Sequence, residues 1–242
     1  MAGIPLFGLV KKARTGQAFL AFVANPADTP SIIRMYEGLK DGEIAEQYFH
    51  QLLSNKNVMS LVNERWRYPD VDIDRLMALD DNTFGKQYAL FITENGLDPG
   101  AIDELREVKS DVDYLTHRLR HVHDMMHVIL GFAQTDLAAE AGVASFNMAH
   151  IRSFFGGILV FGSLLHCLRV RDYRGFDDIL KATSAGISIG METLNSSLGC
   201  VYAFRFEDYW DRPISELRHD LNVTAFHRPT QSLATEGSCR HF

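Results

Sequence analysis

The sequence predicts an all-α fold, a single-domain helical bundle, and three observations carry that prediction. Apolar residues recur three and four positions apart along most stretches, the period that lines one face of a helix. No segment alternates polar and apolar residues as a half-buried strand does. No repeat, low-complexity tract or visible domain boundary divides the 242 residues, which are ample for one core. Residues 1–14 read as an N-terminal arm, 15–223 as the helical domain and 224–242 as a C-terminal tail.

Taken in order, residues 16 to 24 carry Ala, Phe, Leu and Val at helical spacing and stop at Asn25-Pro26. Thr29-Pro30 reads as an N-cap followed by proline at the first helical position, opening a helix to about Lys40. Gly42 separates it from a third helix over 43–54, with Ile44, Tyr48 and Leu52 on one side. Residues 62 to 73, with Trp66, Tyr68 and Pro69, read as a connector. Asp81 or Asn82 caps a helix that Gly96 closes, and Leu97-Asp98-Pro99-Gly100 is loop. A polar stretch around Asp103 to Lys109 leads into the next helix. There Leu115, Leu119, Val122, Met126 and Ile129 form a core-facing stripe.

That helix carries the most informative residues of the chain, His123-Asp124-Met125-Met126-His127. The histidines stand four apart and so stack on one face, and Asp124 shares their arc. Met125, Val128 and Leu130 make most of the remaining circumference apolar. Polar heads on such a helix are costly to bury unless they bind one another or a shared ion. Gly131 can end the helix, and Gln134, Thr135 and Asp136 offer caps for the one that follows. If the two helices pack antiparallel across this turn, Glu140 faces His123 and His127 at the same level. Two imidazoles with one or two carboxylates suit zinc, iron(II), cobalt or manganese and do not choose among them; zinc is taken as the first candidate. The plain alternative is a set of hydrogen-bonded core histidines. His117, His121 and His150 read as surface or packing residues.

Beyond Glu140, Ala138, Ala139, Ala141, Gly142, Ala144 and Ser145 keep one helix slim. Phe154 to Leu168 is nearly all apolar, with Gly156, Gly157 and Gly162 inside it. At fifteen residues it falls short of the roughly 20 that a membrane span needs, so it is core or a lipid-binding wall. Gly186 and Gly190 mark another small-residue segment, read as close packing within the bundle.

Composition narrows the function classes. With 46% hydrophobic and 23% charged residues, the chain has a globular make-up. A net charge of −7 argues against nucleic acid as a partner. Cys167, Cys200 and Cys239 are odd in number and widely spaced, which suits free thiols in a reducing compartment. The apolar run from Ile4 to Val10 precedes Lys11, Lys12 and Arg14, the reverse of a secretory pattern. A cytoplasmic location is therefore expected. No acidic residue occurs before Asp28, so the basic start can touch a membrane inner face peripherally. Cys239 is fourth from the end, but Arg240 and His241 do not fit prenylation.

The run Arg118-Leu119-Arg120-His121-Val122-His123-Asp124-Met125-Met126-His127 resembles the signature of the ubiquinone (coenzyme Q) biosynthesis family known as Coq four. That family carries Arg-x-Arg-x-x-His-Asp-x-x-His followed by a glutamate, regarded as metal ligands. Asn25-Pro26-Ala27-Asp28-Thr29, Thr83 to Phe91, Gly96-Leu97-Asp98-Pro99 and Pro213-Ile214-Ser215-Glu216-Leu217-Arg218 resemble further family segments. The likeness covers roughly residues 15 to 223. One departure stands out: the family's acidic position falls on Ala139, one residue before Glu140.

The resemblance implies a part in making ubiquinone from precursors with a polar ring and a polyprenyl tail. It implies a metal-dependent lyase-type reaction, oxidative decarboxylation with hydroxylation at ring carbon one. His123, Asp124, His127 and Glu140 would hold the divalent metal, with Asp124 and Arg120 as the catalytic pair. Arg118 and Arg120 would bind the substrate carboxylate, unless they pair structurally with Asp111, Asp113 or Glu140. Phe154, Gly157, Phe161 and Gly162 would line an apolar groove for the prenyl tail, or else belong to an ordinary core. Partners would be the prenylated quinone precursor, other ubiquinone biosynthesis proteins and a second copy in a homodimer.

Three rival readings use the same residues. A non-enzymatic prenyl-lipid-binding scaffold would keep the groove and use the metal only to staple two helices. A phosphohydrolase built on the His123-Asp124 dyad needs a separate upstream histidine, for which His50 is the distant candidate, and a downstream aspartate among Asp172, Asp177 and Asp178. A two-metal bundle would pair Asp124-x-x-His127 with Glu216-x-x-His219. A zinc protease would need glutamate where Asp124 stands.

Overall fold

Helical periodicity organises nearly all of the chain in the computed structural model, which describes residues 6–66, 70–99, 108–132, 135–196 and 199–227. Twelve α-helices follow one another among the described residues, and no strand occurs there beyond one isolated bridge between Thr83 and Pro213. The first two, α1 (Leu6–Ala24) and α2 (Thr29–Leu39), form a hairpin with its own small cluster of Ala18, Phe22 and Met35. Helix α1 runs back through most of the stretch expected to be an arm. Asp28, not Thr29, occupies the N-cap position of α2.

Helix α3 spans Glu43–Leu53. Two short helices flank the expected connector, one running into it as far as Glu64 and the other beginning at Ile73. Asn55 caps α4 (Lys56–Glu64) by accepting from the N–H groups of Asn57 and Val58, and Asp72 caps α5 (Ile73–Met77). The apolar face of Val58, Leu61 and Val62 is what α4 buries. Thr83 caps α6 (Phe84–Asn95), and Gly96 ends it at φ 63°, in the left-handed region that glycine tolerates. The polar stretch from Asp103 falls largely outside the described residues.

The expected stripe on the next helix is buried as anticipated, with Leu115, Val122, Met126 and Ile129 all inside the main core. The helix itself is not continuous. It is divided into α7 (Asp111–His121) and α8 (His123–Leu130) by Val122, whose ψ of −1° departs from helical geometry. Helices α9 (Leu137–His150), α10 (Phe154–Val170) and α11 (Tyr173–Thr193) complete the bundle. Small residues bring α9 and α11 together, since a Cβ on Gly186 would collide with the Gly142 carbonyl. Asp172, expected in a polar turn, caps α11 by accepting from Gly175 N–H, and Asp177 and Asp178 lie on that helix. Two 3-10 turns at Val201–Ala203 and Phe206–Tyr209 precede α12 (Ile214–Asp220). The chain then returns to α8, where Phe226 N–H donates to Leu130 O at 2.7 Å. No helix among the described residues is long and apolar enough to cross a membrane.

Candidate metal centre

Helix α8 places His123 and His127 one turn apart, and the turn after it supplies the third group. Gly131 takes φ 84°, reversing the chain, and its missing side chain admits the backbone of Phe226. The reversal brings the Phe132 carbonyl to 2.8 Å from His127 Nδ1, which donates to it. Asp136 then caps α9 by accepting from Ala139 N–H at 2.9 Å. Four residues into that helix, the Glu140 carboxylate reaches both imidazoles. Its Oε2 lies 3.3 Å from His123 Nε2 and its Oε1 3.4 Å from His127 Nε2.

These three residues bring one ligand atom each within 4.8 Å of one another. The neighbouring Ala139 is buried and uses its N–H for the cap, so Glu140 is the acidic residue that reaches the histidines. Asp124 is not part of the cluster. It stands half-buried beside it, where its charge acts on His123 and on the Tyr88 phenol.

The donor set fits a divalent ion. With Nδ1 of His127 committed as a donor to the Phe132 carbonyl, Nε2 is the nitrogen left to meet an ion, and that atom is fully buried without a hydrogen-bond partner. Carbonyl-bonded imidazole of this kind is the usual form of a metal-ligating histidine. Ligands about 2.1 Å from a tetrahedral ion stand roughly 3.4 Å apart, and each imidazole lies at about that distance from one of the two Glu140 oxygens. The Phe91 ring, stacked at 5.4 Å, fixes the plane of His127. Electrostatics bind the cluster further. Burial opposes charging His123, but the Glu140 carboxylate and Asp124 outweigh it and lift its pKa to about 9. Burial likewise opposes charge on Glu140, yet both histidines hold its carboxyl well below the usual range.

The two arginines of the motif part company. Arg118 is buried, forks onto both oxygens of Glu207 and donates to Phe204 O at 2.6 Å. Its guanidinium also lies over Trp66. The pairing is structural, but the partner is neither Asp111, Asp113 nor Glu140, and it leaves no fork for a substrate. Arg120 is half-buried and stacks over Tyr36, 5.4 Å from the ring centroid, without an ion pair among the described residues.

Arg120, His123 and Glu140 border a cavity of about 530 Å³ between the α1–α2 hairpin and helices α7, α9 and α10. Most of its wall is apolar, and Tyr36 hydrogen-bonds Thr116 across it at 3.0 Å. Helix α10 contributes as expected, but by a different face. Its lining residues are Phe155, Gly156, Leu159 and Ser163. Phe154 packs edge-on against Tyr48, and Gly157 faces Met148. Gly162 seats the Phe22 ring, and Phe161 stacks on Phe19 at the surface, 57% exposed. None of these four lines the cavity.

Nor do the rival constellations assemble. His50 is exposed on α3, away from the cluster. Glu216 pairs with Arg212, and His219 is exposed. Phe91, Phe132 and Tyr36 support the site without having been marked as site residues. Only Phe91 carried a signal, as the end of the Thr83 to Phe91 segment.

Residues 12–227 match the family model described as coenzyme Q (ubiquinone) biosynthesis protein Coq4. The chain is similar to the mitochondrial COQ4 homologue of ubiquinone biosynthesis from Danio rerio, 29% identical over 166 residues. That match takes in 67% of this chain and 57% of the zebrafish protein, so the chain spans a little over half of that relative. The corresponding protein of Nematostella vectensis is 27% identical over 166 residues, covering 65% of this chain and 74% of the relative. A crystal structure of a protein assigned to ubiquinone biosynthesis from Nostoc punctiforme shares the fold. Its TM-score is 0.74 at 24% identity, over 88% of this chain and 99% of that one.

Proposed function

The chain belongs to the coenzyme Q (ubiquinone) biosynthesis protein Coq4 family, and on that premise we propose that it removes the ring carboxylate of a polyprenylated quinone precursor and leaves a hydroxyl at the same carbon. The observation that carries this reading is the cavity itself, apolar along its wall and edged by Arg120, His123 and Glu140. Such a lining suits a ligand with an anionic, oxygenated head and a hydrocarbon tail.

His123, His127 and Glu140 would hold a divalent ion, with zinc the first candidate, and a bound ion supplies Lewis acidity at the ring oxygen or carboxylate. The remaining work falls to the side chains. Arg120, not tied to a carboxylate among the described residues, offers its planar fork to the substrate carboxylate and steers the head. Tyr36, fixed by Thr116, holds that guanidinium in place. Asp124, half-buried beside the histidines, adds negative charge that favours a cation at the site. Phe155 and Leu159 exclude water from the tail. The carboxylate leaves as carbon dioxide in a net two-electron oxidation. Water supplies the hydroxyl oxygen when an external two-electron acceptor takes the electrons; when dioxygen supplies it, the second oxygen atom leaves as water with two electrons and two protons from an external reductant. Exposed Leu20 on α1 and Phe161 on α10 would face the lipid from which the precursor comes.

The test is product analysis with a ring-carboxylate isotope label in cells lacking the endogenous activity. His123→Ala and His127→Ala should release no label, and Arg120→Lys should fall between wild type and Arg120→Ala. Ligand variants that restore quinone synthesis in full would sink the enzymatic reading and leave a lipid-binding scaffold.

A further inference from the structure

Helix α8 has eight residues, too few to hold its own direction. It follows α7 across the single residue Val122, whose ψ of −1° lies off the regular helical value while hydrogen bonds continue across it, from Val122 N–H to Arg118 O and from Met126 N–H to Val122 O. The side chains flanking that residue diverge. His121 turns inward and is buried, whereas His123 turns to the cavity and Glu140. What grips the inward side is Glu207, far along the chain on the Phe206–Tyr209 turn. Its Oε1 meets both Arg118 Nη1 and His121 Nε2, the latter at 3.0 Å, and its Oε2 meets Arg118 Nη2 at 3.2 Å. One carboxylate therefore holds two side chains of the last turn of α7. The far end of α8 is held from the same region of chain, where Arg218 donates to Ile129 O and Val128 O, each at 2.9 Å.

We propose that Glu207 is a positioning residue of the metal centre: by holding Arg118 and His121 against the Phe206–Tyr209 turn, it fixes the α7–α8 junction at Val122 from which His123 meets Glu140. Stability alone is a poor account of this cluster, because a buried ion pair contributes little net stability over well-packed apolar groups, whereas it does specify one arrangement. The arrangement specified here is the rotation of the last turn before the first ligand. The inference rests on the reading of His123, His127 and Glu140 as a metal site.

Zinc titration against a competing chelator tests it, with thermal melts on the same samples. Wild type must bind zinc; if it does not, the metal reading itself fails. In Glu207→Gln the folded protein should bind zinc about 10- to 100-fold more weakly, the usual effect of losing an outer-shell partner. An apolar replacement of the whole cluster, Arg118→Met with His121→Leu and Glu207→Leu, should recover thermal stability but not zinc affinity. Either variant folded with wild-type zinc affinity would overturn the inference. Hydrogen exchange on wild type gives an arm that needs no variant. Zinc should slow exchange at residues 206–209 as well as in α8 and α9, and protection confined to α8 and α9 would overturn it equally.

Discussion

Raising the pH from neutral towards 9 should tighten zinc binding steadily, and the slope measures the His123–Glu140 pairing. With Glu140 at 3.3 Å and Asp124 beside it outweighing burial, His123 has its pKa lifted to about 9. In the metal-free protein it therefore carries a proton at neutral pH, and a metal ligand must lose its proton to bind. The sign follows: proton competition is strong below the raised pKa and vanishes above it. At pH 7 the affinity should lie up to about 100-fold below its alkaline plateau, gaining about tenfold per pH unit. Solvent screening of a side chain that is 39% exposed makes this figure a ceiling. An ordinary histidine, with a pKa of about 6.5, would give a curve flat above about pH 7.5. The assay is chelator competition across this range, with proton release measured in buffers of different ionisation enthalpy. Glu140→Gln removes the charge that lifts the pKa and should move the midpoint down by a unit or more, whatever it does to the plateau. A flat profile above about pH 7.5, or a midpoint indifferent to Glu140→Gln, would refute the reasoning.

His150 should give the opposite sign in folding stability. Burial holds it neutral, with its pKa lowered to about 4, while Nδ1 donates to Gly190 O and Nε2 accepts from Val201 N–H. Its contribution is complete above the unfolded value of about 6.5 and is lost as pH falls towards 4, on the order of 3 kcal/mol for about 2.5 pKa units. Urea denaturation across this range should show the loss in wild type and not in His150→Gln; an equal loss in both would rule it out. In the cavity, Ala144→Phe or Leu159→Trp should exclude part of the tail. Two displaced methylenes, at about 0.8 kcal/mol each, would weaken long-tailed ligands about tenfold or more. Gly157→Leu and Phe161→Ala, outside the cavity, should leave binding of the same ligands unchanged. Affinity loss at Gly157 but not at Leu159 would put the tail on the other face.

Local chemistry made much of this protein legible in advance. The all-helical fold follows from the 3–4 spacing and from caps such as Gly96, Asp136 and the glycine at 131. His123 and His127 share a face because four residues make about one turn, and Glu140 meets them because a short turn joins the two helices. Each of these is set by residues close in sequence. What only the tertiary structure decided depends on partners far away. Arg118 finds Glu207 across 89 residues, which no spacing within the motif encodes. The helix divides at Val122, and α4 runs on to Glu64, into the stretch that reads as connector. Asp124 shares the arc of the histidines on an ideal wheel, yet stands outside the cluster that Glu140 closes. Helix α10 shows the reason most clearly. Phe154 to Leu168 is apolar all round, so periodicity could not say which face looks inward, and Phe155 and Leu159 line the cavity in place of Phe154 and Phe161. Where every face of a helix is apolar, packing against its neighbours selects the rotation, and that selection is made by the whole fold.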